Sequence, residues 1–174
     1  MFKNPSSSNS YRSAEFPILS LLRSRPQALA TIAGSPEYPH IAGIARFYAT
    51  AVGTLLYVTV RGLPEAAADE PCDERIFGFH IHEGNSCTGN ASDPFADALT
   101  HYDPDGCEHP YHAGDLPPLF GCDGLAVSLF LTNRFTVEEV IGKTMILHDM
   151  PDDFTTQPSG NSGTKIACGV IRRN

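Results

Sequence analysis

No apolar run in this sequence approaches the roughly 20 residues that a membrane-spanning helix needs. The candidate nearest the start, Phe16-Pro17-Ile18-Leu19-Ser20-Leu21-Leu22-Arg23, is brief and interrupted. No small-residue cleavage site follows it, so it does not read as a secretory signal either. A short helical turn packed on the body of the protein is expected there, with a partner-docking segment as the alternative. Positive charge is scarce: 12 Lys and Arg face 20 Asp and Glu, a net charge of -8, which argues against nucleic acid and membrane surfaces as partners. None of the five cysteines lies in a C-x-x-C, which argues against a zinc ribbon or a thioredoxin-like site. No histidine follows His82-Glu83 at the spacing of an H-E-x-x-H metalloprotease. No internal repeat is evident.

What is present points to a loop-rich all-β chain. With 174 residues, 41% of them hydrophobic, there is material for one domain with a real core. The combination of 15 glycines and 14 prolines with only 18% charged residues favours short strands over helices. Residues 1–25 open as a polar stretch and are expected to form an N-terminal arm, flexible or loosely docked, ahead of a domain over 26–174. Strands are expected at Gln27 to Ala33, Ile41 to Thr50, Thr54 to Val60, around His80, Leu125 to Thr132, Thr144 to His148 and Ile166 to Ile171. The acidic stretch 65–74 reads as a solvated loop and Val137 to Gly142 as a turn. About eight strands with two long loops fit a Greek-key β-barrel or sandwich of immunoglobulin-like architecture.

Histidine is the informative residue. Five of the seven lie between Phe79 and Asp115. In the strand-like Gly78-Phe79-His80-Ile81-His82-Glu83-Gly84, alternation puts His80 and His82 on one face and Phe79 and Ile81 on the other. An isolated H-x-H is more often two surface histidines than a ligand pair. Here it is followed by His101, His109, His112 and Asp115 in a Pro- and Gly-rich segment that cannot be a long helix or a central strand. Three imidazoles and a carboxylate make a closed four-coordinate set suited to structural zinc. His148, ending the run Lys143-Thr144-Met145-Ile146-Leu147, adds a sixth histidine.

These residues resemble the copper-zinc superoxide dismutases. The matching pieces are GFHIHEG (78–84), HYDP (101–104), HAGDL (112–116), GKTMILHDMPDD (142–153) and GNSGTKIACGVI (160–171), in the family's order. The resemblance implies that His80, His82, His101 and His148 bind copper, and that His101, His109, His112 and Asp115 bind zinc. His101 would then be shared and catalytic, its ring bridging the metals and supplying a proton. Asp152 would link His80 to His109 from behind, as partners that orient ligands do. Lys165 stands where the family has an arginine that attracts superoxide; it keeps the charge and loses the fork of donors, implying a slower enzyme. The implied reaction is dismutation of superoxide to O2 and H2O2, with copper and zinc as cofactors. The alternative is a weakly active, dismutase-like protein that stores or hands over copper.

The resemblance also pairs Cys87 with Cys168. Cys107 and Cys122 flank the zinc-type histidines and are expected to form a second disulfide outside the family's pattern, the alternative being two free thiols; Cys72 is left over. Only Pro110 and Tyr111 separate His109 from His112, a shorter insert than the family commonly has. The C-terminal Arg172-Arg173 suggests a monomer or a non-standard homodimer. With no evident signal the location defaults to the cytoplasm, while the cysteines leave an oxidising compartment open.

Overall fold

The computed structural model describes residues 18–65 and 75–174. Most of the expected arm, the acidic loop over 66–74 and Cys72 lie outside the described residues. The order is α1 (Ile18–Arg23), β1 (Ala28–Gly34), β2 (Ala42–Thr50), β3 (Gly53–Arg61), β4 (Ile76–Phe77), β5 (Phe79–His82), β6 (Leu119–Phe120), β7 (Leu125–Thr132), α2 (Val137–Val140), β8 (Thr144–His148) and β9 (Lys165–Arg173). Seven strands form one curled antiparallel sheet in the order β5-β8-β9-β1-β2-β3-β7, and β4 pairs with β6. This is the half-barrel of a Greek-key fold. The chain leaves β3 for β4 and β5 at the other end of the sheet, returns to pair β7 with β3, and then crosses to β8.

The expected strands lie within about two residues of the observed ones, as fraying ends allow. The strand around His80 is split at Gly78. Its amide bonds Met150 O and its carbonyl accepts from His148 N, so the chain bends there toward the β8–β9 loop. A Cβ at Gly78 would meet Ser162 at 2.8 Å, which accounts for glycine at the bend. The expected turn at Val137 is instead α2, started by a capping box in which Thr136 and Glu139 satisfy each other's backbone. At the N-terminus α1 forms as expected but buries no residue.

The core fills the sheet's concave side with Ile32, Phe47, Leu56, Val58, Phe79, Ile81, Met145, Leu147 and Ile166. Every residue of β5 and β8 is buried, because the core covers one face of these strands and loops cover the other. A second small cluster of Phe95, Ala98, Ile146 and Cys168 packs around Cys87, beneath the loop over 84–99. Edge strand β7 departs from the apolar-inside rule: Leu125, Val127, Leu129 and Leu131 are its exposed positions.

Candidate metal centre

Period two on β5 sends Phe79 and Ile81 into the core and leaves His80 and His82 together on the opposite face. A returning loop then joins that strand. Ile81 N donates to Gly114 O, Tyr102 N to Ile81 O, and His82 forms a β-bridge with His101. Backbone pairing, not chance folding of a loop, therefore carries His101 and Asp115 to β5. On the other side β8 pairs with β5 and ends at His148.

Two groups of potential ligands result: His80, His82, His101 and His148, and His101, His109, His112 and Asp115, with the ligand atoms of each group within 4.8 Å of one another. All are buried. The sequence expectation placed the same residues in the same sets, and the structure brings all of them together.

The hydrogen bonds behind the rings decide which nitrogen of each imidazole carries the proton. His80 donates from Nε2 to Asp152 Oδ2 at 2.7 Å, and His109 donates from Nε2 to Asp152 Oδ1 at 2.9 Å. His82 donates from Nδ1 to Leu99 O at 2.8 Å, and His148 from Nδ1 to Gly163 O at 3.3 Å. The other nitrogen of each ring is then a lone pair turned into its group. His82 Nε2 and His148 Nε2 face each other at 3.4 Å, two acceptors with no proton between them. His80 Nδ1, His101 Nε2, His109 Nδ1 and His112 Nδ1 are buried without a hydrogen-bond partner. Orphaned buried acceptors are rare and costly unless a cation or water satisfies them. Converging lone pairs of imidazole, with one carboxylate in the second group, are the donors that copper and zinc take, so the residues fit two metals.

Electrostatics keeps these rings ready to bind. Burial, opposed by the Asp152 hydrogen bond and aided by the nearby His101, pushes His80 down to about 4. Burial pushes His148 down to about 3, with the neighbouring His80 acting the same way. His82 falls well below the usual imidazole value for the same leading reason. Three neutral imidazoles at neutral pH are the ligating form. Burial would raise the Asp115 carboxyl, but the hydrogen bond and charge of His101, with the charges of His109 and His112, hold it below its ordinary value. Asp152 likewise stays low, its burial outweighed by the bonds from His80, Phe154 N and His109.

Asp152 has little room to shift. Gly160, at φ 66°, lies against it, and an added Cβ would collide with Asp152 Oδ1 and stand 2.7 Å from His109 Nε2. Gly160→Ala should therefore carry both a left-handed backbone penalty of about 1–2 kcal/mol and a displaced Asp152. The expected outcome is zinc binding weaker by roughly 10–100-fold, checked by competition against a chelator; unchanged affinity would show that Asp152 tolerates displacement.

Above the first group lies a cavity of about 380 Å³ lined by His82, Leu99, His101, His148 and Lys165 among others. Lys165 Nζ lies 2.7 Å from Asp93 Oδ2 and 3.2 Å from Phe95 O. The lysine is therefore at the expected place but ion-paired, a partnership with Asp93 that sequence reasoning missed. The disulfide Cys87–Cys168 is formed, with a Cα separation of 5.7 Å, and pins the loop that supplies both Asp93 and Leu99 O.

The expected second disulfide is overturned. Cys107 and Cys122 are free and exposed. Cys122 makes a tight turn with Leu125 at the start of β7, whereas the loop of Cys107 is tied at Pro110 by Arg134, beyond the far end of that strand. These two anchor points lie at opposite ends of β7, a strand of about 23 Å at about 3.3 Å per residue, whereas a disulfide needs Cα atoms within ~7 Å.

A curled Greek-key sheet carrying two adjoining candidate ligand sets that share one histidine defines the class: a β-barrel protein with two potential metal sites. The family described as copper/zinc superoxide dismutase (SODC) matches residues 41–171, and the chain belongs to that family. It is 31% identical over 147 residues to a protein named superoxide dismutase [Cu-Zn] 2 of Aquifex aeolicus, covering 76% of this chain and 80% of the relative. It is 32% identical over 151 residues to superoxide dismutase [Cu-Zn] of Deinococcus radiodurans, covering 76% and 78%. It is also 29% identical over 161 residues to the human copper chaperone for superoxide dismutase, covering 84% of this chain and 53% of the relative.

Proposed function

We propose that the protein is a superoxide dismutase, with copper held by His80, His82, His101 and His148 and zinc by His101, His109, His112 and Asp115. The observation that carries this reading is His101: its Nε2 is unpartnered on the side of the first set while its Nδ1 lies 2.7 Å from Asp115 Oδ1 in the second. Copper held by His80, His82, His101 and His148 would supply the one-electron redox chemistry that converts two superoxide ions and two protons to one O2 and one H2O2.

The chain's own residues supply the rest. Lys165 puts a cation on the wall of the cavity above the first set, where it draws in an anion that the net charge of -8 would otherwise repel. His101 Nε2 is placed to take up a proton and release it toward that cavity. Asp152 holds the rings of His80 and His109 at once, so the two sets keep one relative orientation. Every ligand is buried, and His82, His101 and His148 line the cavity that the anion would enter.

The test is dismutation by protein loaded with both metals, beside His82→Ala and Lys165→Ala. Activity should vanish in the first and fall about tenfold in the second, the lower end of what local charge adds to association. One copper and one zinc bound per chain without turnover would sink the enzyme reading. It would favour a copper-handling protein, a reading supported by the Asp93 carboxylate that offsets the charge of Lys165 and by the likeness to the human copper chaperone.

A further inference from the structure

We infer that Arg134 and Gln157 are positioning residues for the second ligand set, holding the backbone of its short loop so that His109, His112 and Asp115 converge before a metal arrives. The inference rests on the two-metal reading above and deepens it.

Three of the four ligands of that set fall within seven residues, 109–115; Asp115 is bridged to His80 of β5, whereas His109 and His112 lie in no strand or helix. The loop's own bonds are few: Tyr111 N to Glu108 O, Asp115 N to His112 O, and His112 N to Asp115 Oδ2. Two side chains from distant parts of the chain complete it. Arg134, two residues past the end of β7, donates from a single nitrogen, Nη1, to Pro110 O at 3.0 Å, His112 O at 3.3 Å and Asp115 O at 3.3 Å. From the opposite side Gln157 forms a reciprocal pair with the backbone of His109, accepting from its N at 2.9 Å and donating to its O at 2.7 Å. Every ligand between His109 and Asp115 thus has its main chain held by one of these two residues.

Neither residue can be a ligand itself. A guanidinium offers donors only, and both polar ends of the Gln157 amide are engaged by His109. Arg134 takes the carbonyl of Asp115 and leaves the carboxylate to His101, His109 and His112. That division is what a positioning group needs: it fixes the ligand without competing for the donor atom. Groups that orient metal ligands from behind are worth roughly 10–100-fold in metal affinity when removed. The Pro110-Tyr111 insert is too short to form secondary structure of its own, so the clamps replace what a longer loop could supply internally.

The experiment measures zinc dissociation constants by competition with a chromogenic chelator for the full chain and for Arg134→Met, Arg134→Lys and Gln157→Leu. Thermal midpoints of the same proteins without metal, and the visible spectrum of cobalt in the zinc-type set, are recorded alongside. Arg134→Met and Gln157→Leu should each weaken zinc about 10–100-fold and dim the tetrahedral cobalt bands, while Arg134→Lys, which keeps a cation with three donors, stays within about fivefold of wild type. If Arg134→Met does not fold, Gln157→Leu tests the same clamp from the other side. Zinc affinity and cobalt spectra unchanged in Met and Leu variants whose midpoints fall would overturn the inference, leaving both residues as supports of the fold alone. Wild-type protein that binds no zinc at this set would overturn the two-metal reading together with the inference, an outcome distinct from wild-type binding that the variants share.

Discussion

Lowering the pH from 7 to 5 should cost the metal-free protein about 4 kcal/mol of folding stability through His80 and His148. The sign follows from the imidazoles. His80, His82 and His148 have folded values depressed below the ordinary 6.5, to about 4 for His80 and about 3 for His148. Between 6.5 and those values the unfolded chain binds protons that the folded chain refuses, so stability falls as pH falls through that window. Each histidine refuses protonation at a cost of about 1.4 kcal/mol per pH unit below 6.5, hence about 2 kcal/mol by pH 5 and about 4 for His80 and His148 together, close to the whole stability of a marginal domain, with His82 acting in the same direction. Asp115 and Asp152, depressed below the usual carboxylate value, add loss in the same direction only below about pH 4. Metals held by the proposed sets would occupy the same nitrogens and stabilise the folded chain by mass action, so the loaded protein should stay folded to lower pH. Denaturant titrations followed by far-UV circular dichroism at pH 7, 6 and 5 would decide it. A metal-free stability that stays flat across that range would mean the three rings are not buried neutral.

Replacing Cys87 and Cys168 together by serine should remove about 4.5 kcal/mol. The bridge closes a loop of sequence separation 81, and the chain-entropy relation assigns roughly that much to a loop of this length. For a domain of this size the thermal midpoint should drop by about 10–20 °C. The loss also reaches the site. Cys168 lies on β9 three residues after Lys165, and Cys87 tethers the loop carrying Asp93, Phe95 and Leu99. Untethered, that loop would loosen the Leu99 carbonyl behind His82 and the two partners of Lys165. Copper affinity should therefore fall along with stability. A double variant with an unchanged midpoint would show that Phe95, Ala98 and Ile146 alone hold the loop.

Local rules marked the histidine-rich segments in the sequence, and the resemblance to the copper-zinc superoxide dismutases divided their residues into two sets. Alternation on a strand puts His80 beside His82, and the run Thr144 to His148 ends at the ligand whose ring reaches the same group. Strand positions were legible for the same reason, since period two survives in the chain itself. Even α2 had a signal, the Thr136 to Glu139 spacing of its capping box, which a reading for turns passes over.

The partners of the ligands were a different matter. Asp93 meets Lys165 across 72 residues, Gln157 meets His109 across 48, and Arg134 meets Pro110 across 24. Each contact has at least one end in an irregular loop whose residues carry no periodicity, so no pattern in the sequence marks the pair. Cys107 and Cys122 show the converse: close in sequence and plausible as a bridge, they are free and exposed, in loops anchored at opposite ends of β7. The sequence by itself determined which atoms can bind metal, because ligand chemistry and strand alternation are local properties. Only the tertiary structure decided which side chains hold those atoms in place and which cysteines meet, because loop-to-loop distances are set by the packing of the whole barrel.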